Sequence, residues 1–179
     1  MFDRLWFVAP GALLVACVTP PPPPATPAPT AEARCYRGDV SVHAGPDDAE
    51  VARMPTVVRR TTDPTAGTIV EEVTQRGDAG VETYVVTMTV DGKAFAMAER
   101  SGAFTGAGAL TGEPWRWDQW TSTSTLPDGS TVTSTDRRTI SGLTATKVVT
   151  RDGAAVATLH EDYQAFACDG YDAALAALR

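Results

Sequence analysis

The chain is short of the side chains that usually do chemistry. Two histidines, three cysteines and four tryptophans are spread over 179 residues. No G-x-S-x-G elbow, H-E-x-x-H helix, P-loop or dinucleotide fingerprint occurs among them. What survives these absences is an enzyme whose groups meet only in space, or a protein that does not catalyse at all. The second is the leading expectation. Positive charge is also scarce, with 15 lysines and arginines against 22 aspartates and glutamates and a formal net charge of −7. Such a surface repels phosphate backbones and anionic headgroups, which argues against nucleic acid and against peripheral electrostatic membrane binding. The arginine pairs Arg59–Arg60 and Arg137–Arg138 stand alone and read as solvated strand positions rather than a basic patch.

Long hydrophobic runs are missing too. The longest apolar stretch, Leu5–Ala16, has twelve residues, whereas spanning a bilayer takes about twenty. It follows a short start containing Arg4 and ends in small residues before Cys17. That layout is the one of an export signal. The tetrapeptide "LVAC", Leu14–Cys17, resembles the lipobox of bacterial lipoproteins. The resemblance implies cleavage before Cys17, a diacylglyceryl group on its sulfur and acylation of the new amine. Membrane attachment then runs through lipid on Cys17, and two or more acyl chains hold durably where one does not. In the sorting rule of that family, the non-acidic Val18 is compatible with passage to the outer membrane.

Five prolines, Pro20–Pro24, and then "ATPAPT" follow the cysteine. Proline lacks a backbone donor and fixes φ, so this stretch can join neither helix nor sheet and favours extended polyproline II. It reads as a tether able to hold a folded body up to roughly 50 Å from a lipid surface. The expected organisation is therefore a signal peptide at 1–16, a lipidated Cys17 with a proline-rich linker to residue 34, and one folded domain over 35–179. With Cys17 assigned to lipid, Cys35 and Cys168 remain. They bracket the domain, and in an oxidising envelope they are expected to form a disulfide joining its two ends.

Threonine and valine dominate from about Thr56 onward, broken by "DPTAG", "GDAG", "DG", "PDG" and again "DG". Turn residues between β-branched runs are the signal of successive hairpins. The expected strands are Thr56–Thr62, Thr68–Gln75, Val81–Val90, Ala94–Arg100, Ala103–Thr111, Trp115–Thr125, Ser130–Thr139, Leu143–Thr150 and Ala154–Phe166. Tyr84, Val86, Met88 and Val90 would share one face, with Val85, Thr87 and Thr89 on the other. The fold class is mainly β: an antiparallel up-and-down meander forming a closed or partly open barrel, with a short C-terminal helix. In that helix Tyr171, Ala174, Leu175 and Leu178 make an apolar side, Asp169 is a cap, and the helix is a cover for the sheet. A second short helix is expected over "PDDAEVARM", Pro46–Met54, from its proline and early acids.

The stretch Phe104–Asp136, with its Gly-rich strand, "GEPW" and the Thr/Ser run, resembles poorly characterised bacterial domains with a lipocalin-like or calycin-like meander. That resemblance implies the fold and carries no catalytic residue. Within it, "WRWDQW" would send Trp115 and Trp117 to one face and Arg116, Asp118 and Trp120 to the other. An inward indole pair could line an apolar or sugar-binding cavity, although core packing explains it as well. The tracts Thr121–Thr125 and Thr131–Thr135 read as exposed strand surface. His43 near Asp47, Asp48 and Glu50, and His160 before Glu161 and Asp162, lack metal-ligand spacing, so no metal and no cofactor are expected. "RGD" at Arg37–Asp39 reads as a chance tripeptide. Taken together, these features point to a lipid-anchored envelope protein with a non-catalytic β domain that binds a small apolar or saccharide ligand or an envelope component. The alternatives are a structural or interaction module with no cavity, and an enzyme of unrecognised type.

Overall fold

The computed structural model describes residues 30–100, 105–111 and 119–179. Ten strands run in chain order: β1 (Glu32–Ala44), β2 (Ala49–Asp63), β3 (Thr68–Gly77), β4 (Gly80–Asp91), β5 (Ala94–Glu99), β6 (Thr105–Thr111), β7 (Gln119–Thr125), β8 (Thr131–Arg138), β9 (Gly142–Arg151) and β10 (Ala154–Phe166). Each pairs antiparallel with the next, and β1 pairs with β10, so the meander is a closed barrel. Closure leaves no edge strand to protect. A 3₁₀ turn, Cys168–Gly170, leads into the helix α1, Tyr171–Leu178.

Turn chemistry explains the hairpins. Asp152 and Gly153 both take positive φ, 51° and 79°, as the tight β9–β10 connection requires. Asp63 Oδ1 accepts from the backbone of Thr65 and Ala66 at 3.0 and 2.9 Å, pinning the β2–β3 turn. Asp128 Oδ1 accepts from Ser130 N at 3.0 Å between β7 and β8.

Two expectations fail at the N-terminal side. The strand β1 lies where the sequence suggested none, and "PDDAEVARM" is no helix: Pro46 to Asp48 form a turn, and Ala49 to Met54 open β2. Local preference for a helix start loses here to pairing with β1, which begins at Ala44↔Ala49. Pro55 is tolerated inside β2 because pairing with β3 starts only at Thr56; up to that point β2 has β1 as its neighbour. The tripeptide Arg37–Asp39 sits mid-strand in β1, paired on both sides. Gly38 is there for space, since a Cβ would lie 1.9 Å from the Asp162 carbonyl oxygen.

The helix covers part of the sheet as expected, but its cap differs. It packs on the outer wall, where Tyr171 and Leu178 are buried with Cys35 and Val57, flanked by Phe166, Ala174 and Leu175. The expected apolar side is the one that packs. Asp169 lies in the 3₁₀ turn, and the N-cap of α1 is Gly170, with no side-chain cap. Arg59 stacks over the Tyr171 ring at 4.1 Å. The Cys35–Cys168 disulfide is formed, with Cα atoms 5.2 Å apart, and fastens the start of β1 to the entry of the helix.

Candidate functional site

Alternation places every second residue of each strand inside the barrel. Tyr36, Val40, Val58, Val73, Phe95, Trp120, Leu143 and Tyr163 make the buried core, and all but Tyr36 and Val40 also border the lumen. The rest of the interior is a cavity of about 440 Å³. Its two sides differ. Strands β3 to β5 supply Ile69, Val73, Val86, Met88, Phe95 and Met97, a mainly apolar wall with two adaptable thioethers and one carboxylate, Glu71. Strands β7 to β10 supply Ser122, Ser124, Ser134, Asp136, Lys147 and Glu161 among Val132, Leu143, Val149 and Leu159, a mixed wall that carries most of the polar groups.

The mixed wall corrects one sequence expectation. In the Thr/Ser tracts the threonines face outward, but Ser122, Ser124 and Ser134 are buried and face the lumen. A second correction concerns the arginine pairs. Arg60 and Arg138 are buried rather than solvated, and both guanidinium groups lie over the Trp120 ring, at 5.1 and 6.0 Å.

Buried charges inside the barrel are matched across strands. Arg60 on β2 donates to Glu71 on β3 at 2.9 Å, and these residues are direct register partners. Lys147 on β9 donates to Glu161 on β10. Although protein surrounds Lys147, 32 % of its side-chain surface remains open, because that surface borders the cavity. Burial pulls the Lys147 pKa down, but Glu161, Glu71 and Asp136 outweigh it, so the ammonium is held above its usual range. A lysine kept protonated is not a nucleophile near neutral pH. Asp136 behaves oppositely: burial pushes it up to about 6, against the pull of Lys147, the Ser134 hydroxyl and Arg60. Ser134 Oγ donates to Asp136 Oδ2 at 2.8 Å. Burial also raises Tyr163, and raises Tyr84 to about 12. Near the Arg60 end, burial and the Arg60 charge hold Arg138 below the usual arginine range.

No known family, curated protein or solved structure matches this chain. The site must therefore be read from its own geometry.

Of the residues singled out in the sequence, Cys35 and Cys168 meet as expected. Cys17, Trp115 and Trp117 lie outside the described residues. The described indole that faces the interior is Trp120. The structure joins the two histidines that looked unrelated: His43 on β1 and His160 on β10 stand edge to face with ring centroids 5.0 Å apart on the outer wall. His43 Nδ1 donates to the Asp48 carbonyl at 3.0 Å. Among the described residues no three ligating side chains gather around a metal position. No described helix is long and apolar enough to cross a membrane.

Sequence reasoning missed the lumen's ionic residues. One signal was available: Glu71, Lys147 and Glu161 sit in strand runs at the same parity as Val73, Val149 and Leu159, so a charge was due to fall on the inner face.

Proposed function

We propose that this is a lipid-anchored cell-envelope protein whose barrel holds a small molecule in its interior without transforming it. One observation carries the binding half: a space of about 440 Å³ inside the barrel, mainly apolar on one side and richer in hydrogen-bonding groups on the other. That volume falls in the range of small-molecule sites. A module built only for structure would fill its core, because an empty lumen forfeits packing contacts. The two walls suit a ligand with an apolar face and a polar edge, a description that fits both an apolar amphiphile and a saccharide.

Sequence supports the anchoring half. "LVAC" provides Cys17, and the proline-rich stretch provides distance from the lipid. The non-acidic Val18 after that cysteine is compatible with passage to the outer membrane in the sorting rule of lipoproteins. The Cys35–Cys168 disulfide accords with an oxidising compartment, where such bonds persist.

Titration of the full chain with neutral apolar fluorophores and neutral oligosaccharides, following tryptophan emission, tests the binding half. Trp120 borders the lumen and reports occupancy. A saturable change with one of these supports the reading, and no saturable change with any of them removes it. For the anchor, Cys17→Ser is expected to abolish labelling by a palmitate analogue and release the chain from the membrane fraction. Labelling that survives the substitution refutes it.

A further inference from the structure

The two ends of the barrel are built differently. Strands β3, β5, β7 and β9 all start at one end, and the second residue of each lines the lumen: Ile69, Phe95, Trp120 and Leu143. Each of these side chains is at most 4 % exposed. Strand β8 finishes at that end on Arg138, which with Arg60 and Tyr36 is as deeply buried as they are. Both guanidinium groups lie over the Trp120 ring and tie the layer together. A layer whose side chains are all closed to solvent is a floor.

Toward the other end the lining changes. There the chain turns between β1 and β2, β3 and β4, β7 and β8, and β9 and β10. The lumen residues nearest those hairpins, Leu126, Val132, Val149 and Leu159, are only half-buried. From Leu143 to Val149 along β9, at about 3.3 Å per residue and a strand tilt of about 40°, the lumen is about 15 Å deep. Its charges meet one another: Arg60 pairs with Glu71, Lys147 with Glu161, and both cations also act on Asp136. A neutral ligand enters such a lining without bringing a new charge to be matched. The chain itself arrives at the floor, where β1 starts with Glu32 and the Cys35–Cys168 disulfide closes beside it.

On the reading of the barrel as a small-molecule binder, on which this step rests, we infer that the lumen is a cup with one mouth, at the hairpin end, through which a neutral ligand enters and leaves. That mouth lies opposite the end at which the chain from Cys17 reaches the barrel. A tether on Cys17 therefore holds the floor, and the far rim is the surface that a donor or acceptor of the ligand approaches.

Two measurements on the full chain test the route. Val149→Cys and Leu143→Cys place thiols on the same face of β9, one at the mouth and one at the floor. With the disulfide intact and the parent's own labelling subtracted, Val149→Cys is expected to react with N-ethylmaleimide roughly tenfold or more faster than Leu143→Cys. Next, a polyethylene-glycol maleimide is coupled to Val149→Cys or to Ile140→Cys, the latter in the turn between β8 and β9 at the floor end, where Ile140 is 85 % exposed. The polymer on Val149→Cys is expected to slow association of the neutral dye N-phenyl-1-naphthylamine roughly tenfold or more, and the polymer on Ile140→Cys to leave it unchanged. Equal labelling of the two β9 thiols, or a dye that enters past the polymer at Val149→Cys and is slowed by the one at Ile140→Cys, overturns the single mouth while the lumen remains a binding site. If the parent binds neither the dye nor the neutral compounds titrated above, the small-molecule reading falls and takes the ligand route with it. The polymer comparison does not use Leu143→Cys, so it decides the matter even where that substitution disturbs folding.

Discussion

Asp136→Asn should make this protein more stable at neutral pH, although it removes a hydrogen-bonded side chain from the interior. The carboxyl titrates at about 6 in the folded chain, against an ordinary 3.8, chiefly because burial penalises the charged form. A carboxyl raised on folding binds its proton more tightly in the native state, so its contribution favours the fold at low pH. That contribution is lost as pH climbs from about 4 through about 6. The shift of roughly two units corresponds to about 3 kcal/mol, charged against the native state once the group is ionised. Asparagine keeps an oxygen that can accept from Ser134 Oγ, now 2.8 Å away, and fits nearly the same volume. The expected gain at about pH 7.5 is therefore about 2 to 3 kcal/mol, vanishing at about pH 4. Urea unfolding followed by tryptophan emission across that pH range, for both proteins with the disulfide intact, measures the difference directly. A variant less stable than the parent at about pH 7.5, or a difference that does not change with pH, would show that the carboxylate is better compensated than its surroundings indicate.

Four further outcomes are expected. Replacing Cys35 and Cys168 together by serine frees a loop spanning a sequence separation of 133, and chain entropy puts the loss at about 5 kcal/mol as an upper figure, read as a lowered urea midpoint. Lys147→Met leaves Glu161 buried without its cation and should cost about 3 kcal/mol, whereas adding Glu161→Gln should recover most of it; a full double-mutant cycle by denaturation checks both. Gly38→Ala forces a methyl group to 1.9 Å from the Asp162 carbonyl oxygen, so β1 must part from β10, a loss of about 3 kcal/mol or more visible in thermal melts. All four tyrosines, Tyr36, Tyr84, Tyr163 and Tyr171, are raised by burial; ultraviolet titration should therefore show less tyrosinate at about pH 10 than the half expected of an unfolded chain, and stability should decline as pH rises past that value.

Hairpins from β2 onward were legible because their turns are written in local chemistry. Asp63–Gly67, Asp91–Gly92 and Asp152–Gly153 mark reversals that need no knowledge of the remaining chain. The alternation in β4 was equally plain, and Tyr84, Val86 and Met88 do face the lumen together. The strand β1 was not legible. Its sequence, EARCYRGDVSVHA, mixes charge with glycine, and its strand character comes from being paired on both sides by β10 and β2. Pairing of that kind is a property of the closed sheet and leaves little trace in a thirteen-residue segment. The ionic wall was hidden for a related reason. Arg60 and Glu71 are 11 residues apart, and Lys147 and Glu161 are 14 apart. Only a fixed register turns such separations into contacts. The disulfide needed no register, since once Cys17 is set aside two cysteines permit a single pairing.

The seam between β1 and β10 has a consequence for assembly. A hoop whose first stave is gripped by its tenth stays open until almost the whole polypeptide is available, however quickly the hairpins between them take shape. The Cys35–Cys168 crosslink sits beside that same seam and joins positions equally remote along the chain. Ring closure and the crosslink thus both wait on β10 and Cys168, among the last parts of the fold along the chain.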